Sequence, residues 1–372
     1  MKIASRLYGQ IFSSEIVNDG RQEEIDLAKA CMIFCLALIH CTIECTPLEK
    51  LVSGIPYLFD SIIGGPLSAP MYMFAMGIGM VYTKHHTPKD YAKRGLKLGV
   101  IGYMLNICRY LIPFLVGYLI TGNYEKYVRP LPYRVLGNDI LQFASLAMLT
   151  MALFVWLRMS HLTMFMVSLA MSVLGTFLRG LDIGIPLGNI FLGYIVGIED
   201  AKGMVFSDFP LLNWMIFPVS GYIFGQYLLH VKNKNLFYRL LSPIGILITA
   251  IYFPLGIINR WGMFGDGQNC YYHMITGDAL VSLSVTTGVL GIYHVLIPYI
   301  SDRRKHYIGE ISKNINVIYC IHWVLVVIST NLVLYILRGT QELSVAATLF
   351  LGTGISVISI QIAHVWSKRK RQ

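Results

Sequence analysis

The 372-residue chain is 55% hydrophobic and only 13% charged, with a mean hydropathy of +0.59, a balance that excludes a soluble globular domain and indicates a polytopic membrane protein. Its net charge of +10 does not mark a nucleic-acid binder, because the Lys and Arg residues are spread over loops and not clustered with aromatics. The seven cysteines sit mostly in apolar runs without CxxC spacing and read as small core residues; no metal is implied.

Residues 1–23 have no continuous apolar core, so the expectation is a cytoplasmic segment that is not a cleavable signal peptide, with the first span acting as the insertion signal. Apolar runs of about the length needed to cross a bilayer follow near 25–46, 62–83, 96–120, 136–157, 161–178, 210–229, 239–258, 274–300, 315–337 and 344–366. The reading is an all-α polytopic protein of about ten transmembrane helices, both termini cytoplasmic, forming a single integral-membrane domain over 1–372 with a basic cytoplasmic tail at 367–372. The stretch 184–198, GIPLGNIFLGYIVGI, is short and glycine-rich and reads as interfacial or re-entrant.

Positive charge supports that count. The loops assigned to the cytoplasm hold Lys84, Lys89, Lys93, Arg94 and Lys97, then Lys232, Lys234 and Arg239, then Arg303, Arg304 and Lys305, and finally the basic tail. Outer segments hold fewer: Lys50, Lys126, Arg129, Arg134, Arg179, Lys202, Arg260 and Arg338. Treating 184–198 as a further span would move the basic loop 230–239 outside, against the positive-inside bias. No repeat with a period of 20–50 residues divides the chain.

Four ionisable residues interrupt the first span, EIDLAKACMIFCLALIHCTIE (24–44). Charge at membrane depth costs roughly 2.5–3.5 kcal/mol per residue on insertion scales and marks function by default. His40 lies three turns plus about 20° beyond Lys29 and about 16 Å along the axis, so both point the same way. Asp26 and Glu44 extend the same stripe. An imidazole there is suited to taking and returning a proton near neutral pH, with Glu44 placed one turn away to orient it. The bland alternative is a pair of interfacial residues at a helix start and a histidine satisfied within the bundle.

Several segments together resemble one family. EIDLAKACMIFCLALIH is similar to the opening helix of the transmembrane acyltransferases, the acyltransferase family 3 proteins and the bacterial relatives of heparan-alpha-glucosaminide N-acetyltransferase. Those proteins place an Arg and a His with ten residues between them; here Lys29 stands for the Arg, a point charge in place of a planar fork. The stretches GGPLSAPMYMFAMGIGMVYTKHHTPKDYAKRGLKL, LGNDILQFASLAMLTMALF, DFPLLNWMIFPVSGYIFGQYL and IGEISKNINVIYCIHWVLV resemble later family helices, in the family's order.

The resemblance implies a membrane-bound acyltransferase that takes acetyl from cytoplasmic acetyl-CoA to a hydroxyl or amine on an outer sugar, glycan or lipid-linked acceptor. In that reading His40 is the catalytic base or acyl carrier and Glu44 orients it. Lys29, Asp26, Arg94 and Lys97 hold the donor, and Arg109, Asp139, Gln142, Tyr319 and His322 line the substrate cavity. The expected setting is the plasma membrane, with lipids as neighbours, no nucleic acid and room for a homo-oligomer. A small-solute or lipid-linked-sugar transporter or flippase remains the alternative from the same buried charges, and a non-catalytic sensor is a third. Two local alternatives stay open: Arg109 and Asp139 form either a structural pair or a substrate contact, and His322 is either a satisfied bundle histidine or a ligand contact. Trp214 and its tyrosine neighbours read as an interfacial belt, and His85 and His86 as solvated.

Overall fold

The computed structural model describes residues 2–51, 53–200, 203–205, 207–265 and 268–369. Lys202 and the last three residues of the basic tail, 370–372, lie outside the described residues. The main helices are α1 (Lys2–Ile11), α2 (Glu23–Cys45), α3 (Ala69–Val81), α4 (Pro88–Thr121), α5 (Ile140–Trp156), α6 (His161–Leu178), α7 (Ile216–Leu228), α8 (Lys234–Asn259), α9 (Thr276–Leu296), α10 (Asp302–Lys313), α11 (Ile315–Arg338) and α12 (Val345–Arg369). Eight helical stretches among the described residues are long and apolar enough to cross a membrane; Ile140–Trp156 is shorter and equally apolar. With α7, every apolar run read from the sequence is helical, so the chain is an all-α polytopic membrane protein.

The two ends of the bundle sort the loops as ten spans require. At one end, Ser13 and Val17 donate backbone hydrogen bonds to His230 and Leu229, the Tyr82 hydroxyl donates to the Asn18 carbonyl, and Tyr307 meets His364 near the C-terminus. At the other, Leu343 N donates to the Cys45 carbonyl and Lys126 to Gln341. The basic loop around 230 therefore shares its end with both termini. The stretch 184–198 enters and leaves at one end: its only helix is Pro186–Leu192, and Gly180 N donates to the Gly197 carbonyl.

Local sequence shifts several helix boundaries. Helix α4 starts eight residues earlier than its apolar run, because Thr87 and Asp90 form a reciprocal capping box with Pro88 in the first turn. Lys89, Lys93, Arg94 and Lys97 consequently sit on a helix and not in a loop. The run at 62–83 is broken: Gly54–Phe59 leads into a π-helical turn at Asp60–Gly64 before α3 begins. Helices α1 and α10 carry no spanning signal and lie at the end that holds the termini.

Packing depends on close backbone approach, as expected where lipid removes the hydrophobic drive between helices. Helix α3 lies on α7, α4 on α5, and α8 on α9. A Cβ on Gly221 would stand 1.9 Å from the Phe74 carbonyl oxygen, and one on Gly77 would stand 2.1 Å from that of Pro218. Only glycine permits this α3–α7 contact. Helix α2 packs against α12, α10, α9 and α11, which puts its polar stripe inside the bundle.

The expected aromatic belt is corrected at Trp214. That side chain is fully buried, and its indole N–H donates to the Tyr272 carbonyl at 2.7 Å. A buried Trp needs a partner for its single polar hydrogen, and the short helix Gln268–Tyr272 before α9 supplies it.

Candidate active site

The α2 stripe meets one continuous stretch of chain. Asp26 accepts a hydrogen bond from the Ser312 hydroxyl at 2.5 Å and pairs with Arg21. His40 lies against Trp323 of α11 with ring centroids 3.9 Å apart and against His322 at 5.5 Å with the planes 24° from parallel. Glu44 accepts from the Asn331 amide at 2.9 Å. Helices α10 and α11 thus receive three of the four stripe residues. Lys29 is half-buried and makes no ion pair or hydrogen bond among the described residues.

Toward the C-terminal half of α2 lies a cavity of about 350 Å³, walled by His40, Glu44, Asp60, Arg109, Asp139 and Asp208, among others. Asp139 organises its floor. Its carboxylate pairs with Arg109 Nη2 at 2.5 Å, caps α5 through Ile140 N at 2.6 Å, and accepts the Tyr319 hydroxyl at 3.1 Å. Tyr319 in turn accepts the Trp323 indole N–H at 2.8 Å. Arg109 stands 4.6 Å from the centroid of that same indole. One network therefore joins the ion pair to the ring that supports His40.

Three π-helical turns deliver polar groups to this region. Asp60–Gly64 carries Asp60, Ile107–Leu111 carries Arg109 and Ile328–Leu334 carries Asn331. Such turns rotate a side chain off the regular helical course and occur often at functional sites. For Arg109 the cause lies in the sequence, since Pro113 cannot donate to the carbonyl four residues earlier.

The cavity-lining residues expected from sequence fall into two groups. Arg109, Asp139 and Tyr319 line the cavity. Gln142 is buried on α5, and both its amide atoms lack partners among the described residues; it abuts Gly102 of α4. His322 is buried behind His40, its Nδ1–H donating to the Ile318 carbonyl at 3.3 Å and its Nε2 unpartnered among the described residues. The orienting role expected of Glu44 meets a different arrangement, in which its carboxylate is held by Asn331.

The expected donor group is not assembled in this structure. Arg94 and Lys97 are exposed on α4, which packs on α5, whereas Lys29 and Asp26 sit on α2 beside α10. A separate cavity of about 180 Å³ lies at that end, walled by Arg21, Asp26, Asp302, Lys305 and His306. Lys305 pairs with Glu23 at 3.0 Å, and Lys234 with buried Glu24 at 2.8 Å. Among the described residues no group of three His, Cys, Asp or Glu could hold a metal ion.

Sequence reasoning missed Asp60, Asp208, Arg134, Tyr271 and Tyr272 as cavity walls. The signal for Asp208 was available in DFP, a carboxylate directly before an apolar helix. Its carboxyl is pushed up to about 7, chiefly by burial and then by the neighbouring Asp139 charge, against the opposing pull of Arg134 and Arg109.

Residues 21–253 match the protein family described as heparan-alpha-glucosaminide N-acetyltransferase, catalytic. No curated protein and no solved structure matches the chain.

Proposed function

The chain belongs to the heparan-alpha-glucosaminide N-acetyltransferase catalytic family, and on that premise we propose that it transfers an acetyl group from cytoplasmic acetyl-CoA to an amine or hydroxyl of a sugar, glycan or lipid-linked acceptor on the outer side of the plasma membrane. The observation that carries this reading is His40: an imidazole on the wall of a cavity that also holds carboxylates and guanidiniums, packed against Trp323 with the ring planes 34° apart. In the proposed step His40 takes the acceptor's proton as its oxygen or nitrogen attacks the acyl carbon and the thioester C–S bond breaks. A positioned base of this kind contributes about 10²–10⁴ in rate.

In this reading Arg109, held by Asp139, hydrogen-bonds an acceptor oxygen or the developing oxyanion. Lys29 is the proposed donor-phosphate contact, a charge without an ion-pair partner among the described residues. Purified protein incubated with radiolabelled acetyl-CoA and an amino sugar should release CoA and label the sugar. Movement of a labelled solute across vesicles without CoA release would instead favour the transporter.

A further inference from the structure

Asp208 stands on a turn whose backbone is unusual. Phe209, the next residue, has φ +56°, a left-handed conformation that costs a bulky side chain energy and persists only where the surroundings impose it. The surroundings do so here: Asn138 Nδ2 donates to the Phe209 carbonyl at 3.2 Å, His273 Nε2–H donates to the Ser207 carbonyl at 2.9 Å, and the Phe209 ring packs edge-on against Trp214 and Tyr272. The result is a turn held in place with Asp208 on the cavity wall. The groups facing its carboxyl are Asp139, Arg134 and Arg109, with Tyr272 from the short helix Gln268–Tyr272 before α9.

Two independent features indicate what the cavity holds. Its walls carry the carboxylates Glu44, Asp60, Asp139 and Asp208 against the guanidiniums Arg109 and Arg134, and Arg109 is already paired to Asp139. The excess is negative. In addition, Arg109 is only 3% exposed and its Nε and Nη1 hydrogens have no partner among the described residues. Buried donors are rarely left unmade. A ligand that presents a cation to the carboxylates and oxygen acceptors to Arg109 satisfies both.

We propose that Asp208 is a second catalytic residue, which anchors the ammonium group of an amine-bearing acceptor and takes its first proton, leaving the neutral amine for attack. The inference rests on the acyltransferase reading above. An ammonium has no lone pair, so the step R–NH3⁺ + Asp208–COO⁻ → R–NH2 + Asp208–COOH must precede attack. A second proton leaves the nitrogen for His40 as the C–N bond forms and the thioester C–S bond breaks. A hydroxyl acceptor needs only the second transfer, so the arrangement favours amines. The raised proton affinity of Asp208 suits the first transfer.

The experiment uses the full chain in detergent, with acetyl-CoA and glucosamine or glucose as acceptors. Asp208→Asn, close to isosteric, should raise the Michaelis constant for glucosamine about tenfold or more, lower turnover on the order of 10²-fold, and remove the pH limb near neutrality while acetyl-CoA affinity is unchanged. Asp208→Glu should retain that limb at a reduced rate. Equal use of glucose and glucosamine by the wild type, or an unaltered glucosamine profile in folded Asp208→Asn, overturns the proposal. Calorimetric binding of glucosamine separates the two readings: binding that depends on Asp208 without CoA release keeps the amine site and sinks the acyltransferase, whereas no binding and no turnover sinks Asp208 as well.

Discussion

Arg109 and Asp139 form an ion pair at 2.5 Å with both side chains almost wholly buried, and the pair borders the cavity that His40 lines. The contact links α4 to the N-terminus of α5 and, through Tyr319 and Trp323, to α11. One network therefore ties three helices to the cavity wall.

Removing one member of that pair leaves the other charge buried. Asp139→Asn should destabilise the protein by about 3–5 kcal/mol, the usual cost of an uncompensated buried partner. The double variant Arg109→Met/Asp139→Leu should regain much of the stability but none of the activity. Thermal unfolding in detergent, run beside turnover, checks both, and a double variant that remains active would remove Arg109 from the substrate site.

His40→Ala should reduce acetyl transfer by about 10²–10⁴ while acetyl-CoA binding persists, because the ring lies about 16 Å along α2 from Lys29. Turnover close to wild type in the folded variant would end the general-base assignment. An acetyl group trapped covalently on the protein, and lost with His40, would identify the carrier version instead.

Lys29→Met should weaken acetyl-CoA binding, and Lys29→Arg should keep charge and much of the affinity. If the ammonium only offsets Asp26 at the end of the bundle, Lys29→Met would change melting temperature with the dissociation constant unmoved. Calorimetry on well-folded variants decides between them.

The raised proton affinity of Asp208 has a defined effect on stability. Because its folded-state value of about 7 lies above the ordinary carboxylate value of about 3.9, the native protein binds more protons than the unfolded chain between those values. Stability contributed by protonated Asp208 is therefore full at low pH and is lost as pH rises toward 7. Asp208→Asn should flatten that slope in melting temperature between about pH 5 and 7. Identical slopes for the two proteins would place the titration on another group.

The α2 stripe was legible because helix periodicity is local: four polar residues at multiples of a turn must share a face, and at membrane depth that face turns inward. Asp26, His40 and Glu44 meet α10 and α11 accordingly. The sequence also carried the apolar runs, which form helices here, eight of them among the described residues long and apolar enough to cross a membrane. Helix starts were less legible where a capping box overrode hydropathy, as at Thr87, or where a proline and a π-helical turn displaced a side chain, as at Arg109.

By itself the sequence determined that the chain is an all-α membrane protein and that one helix carries buried charge, since both follow from spacing and composition along a single segment. Only the tertiary structure decided the partners. Glu44 goes to Asn331 and not to its neighbour His40, Trp214 goes to the core and not to a belt, and Asp208, outside every span, turns onto the cavity wall. These contacts join residues tens to hundreds of positions apart, and they are set by which helices approach closely enough to satisfy each buried polar group, a matter that no local pattern encodes.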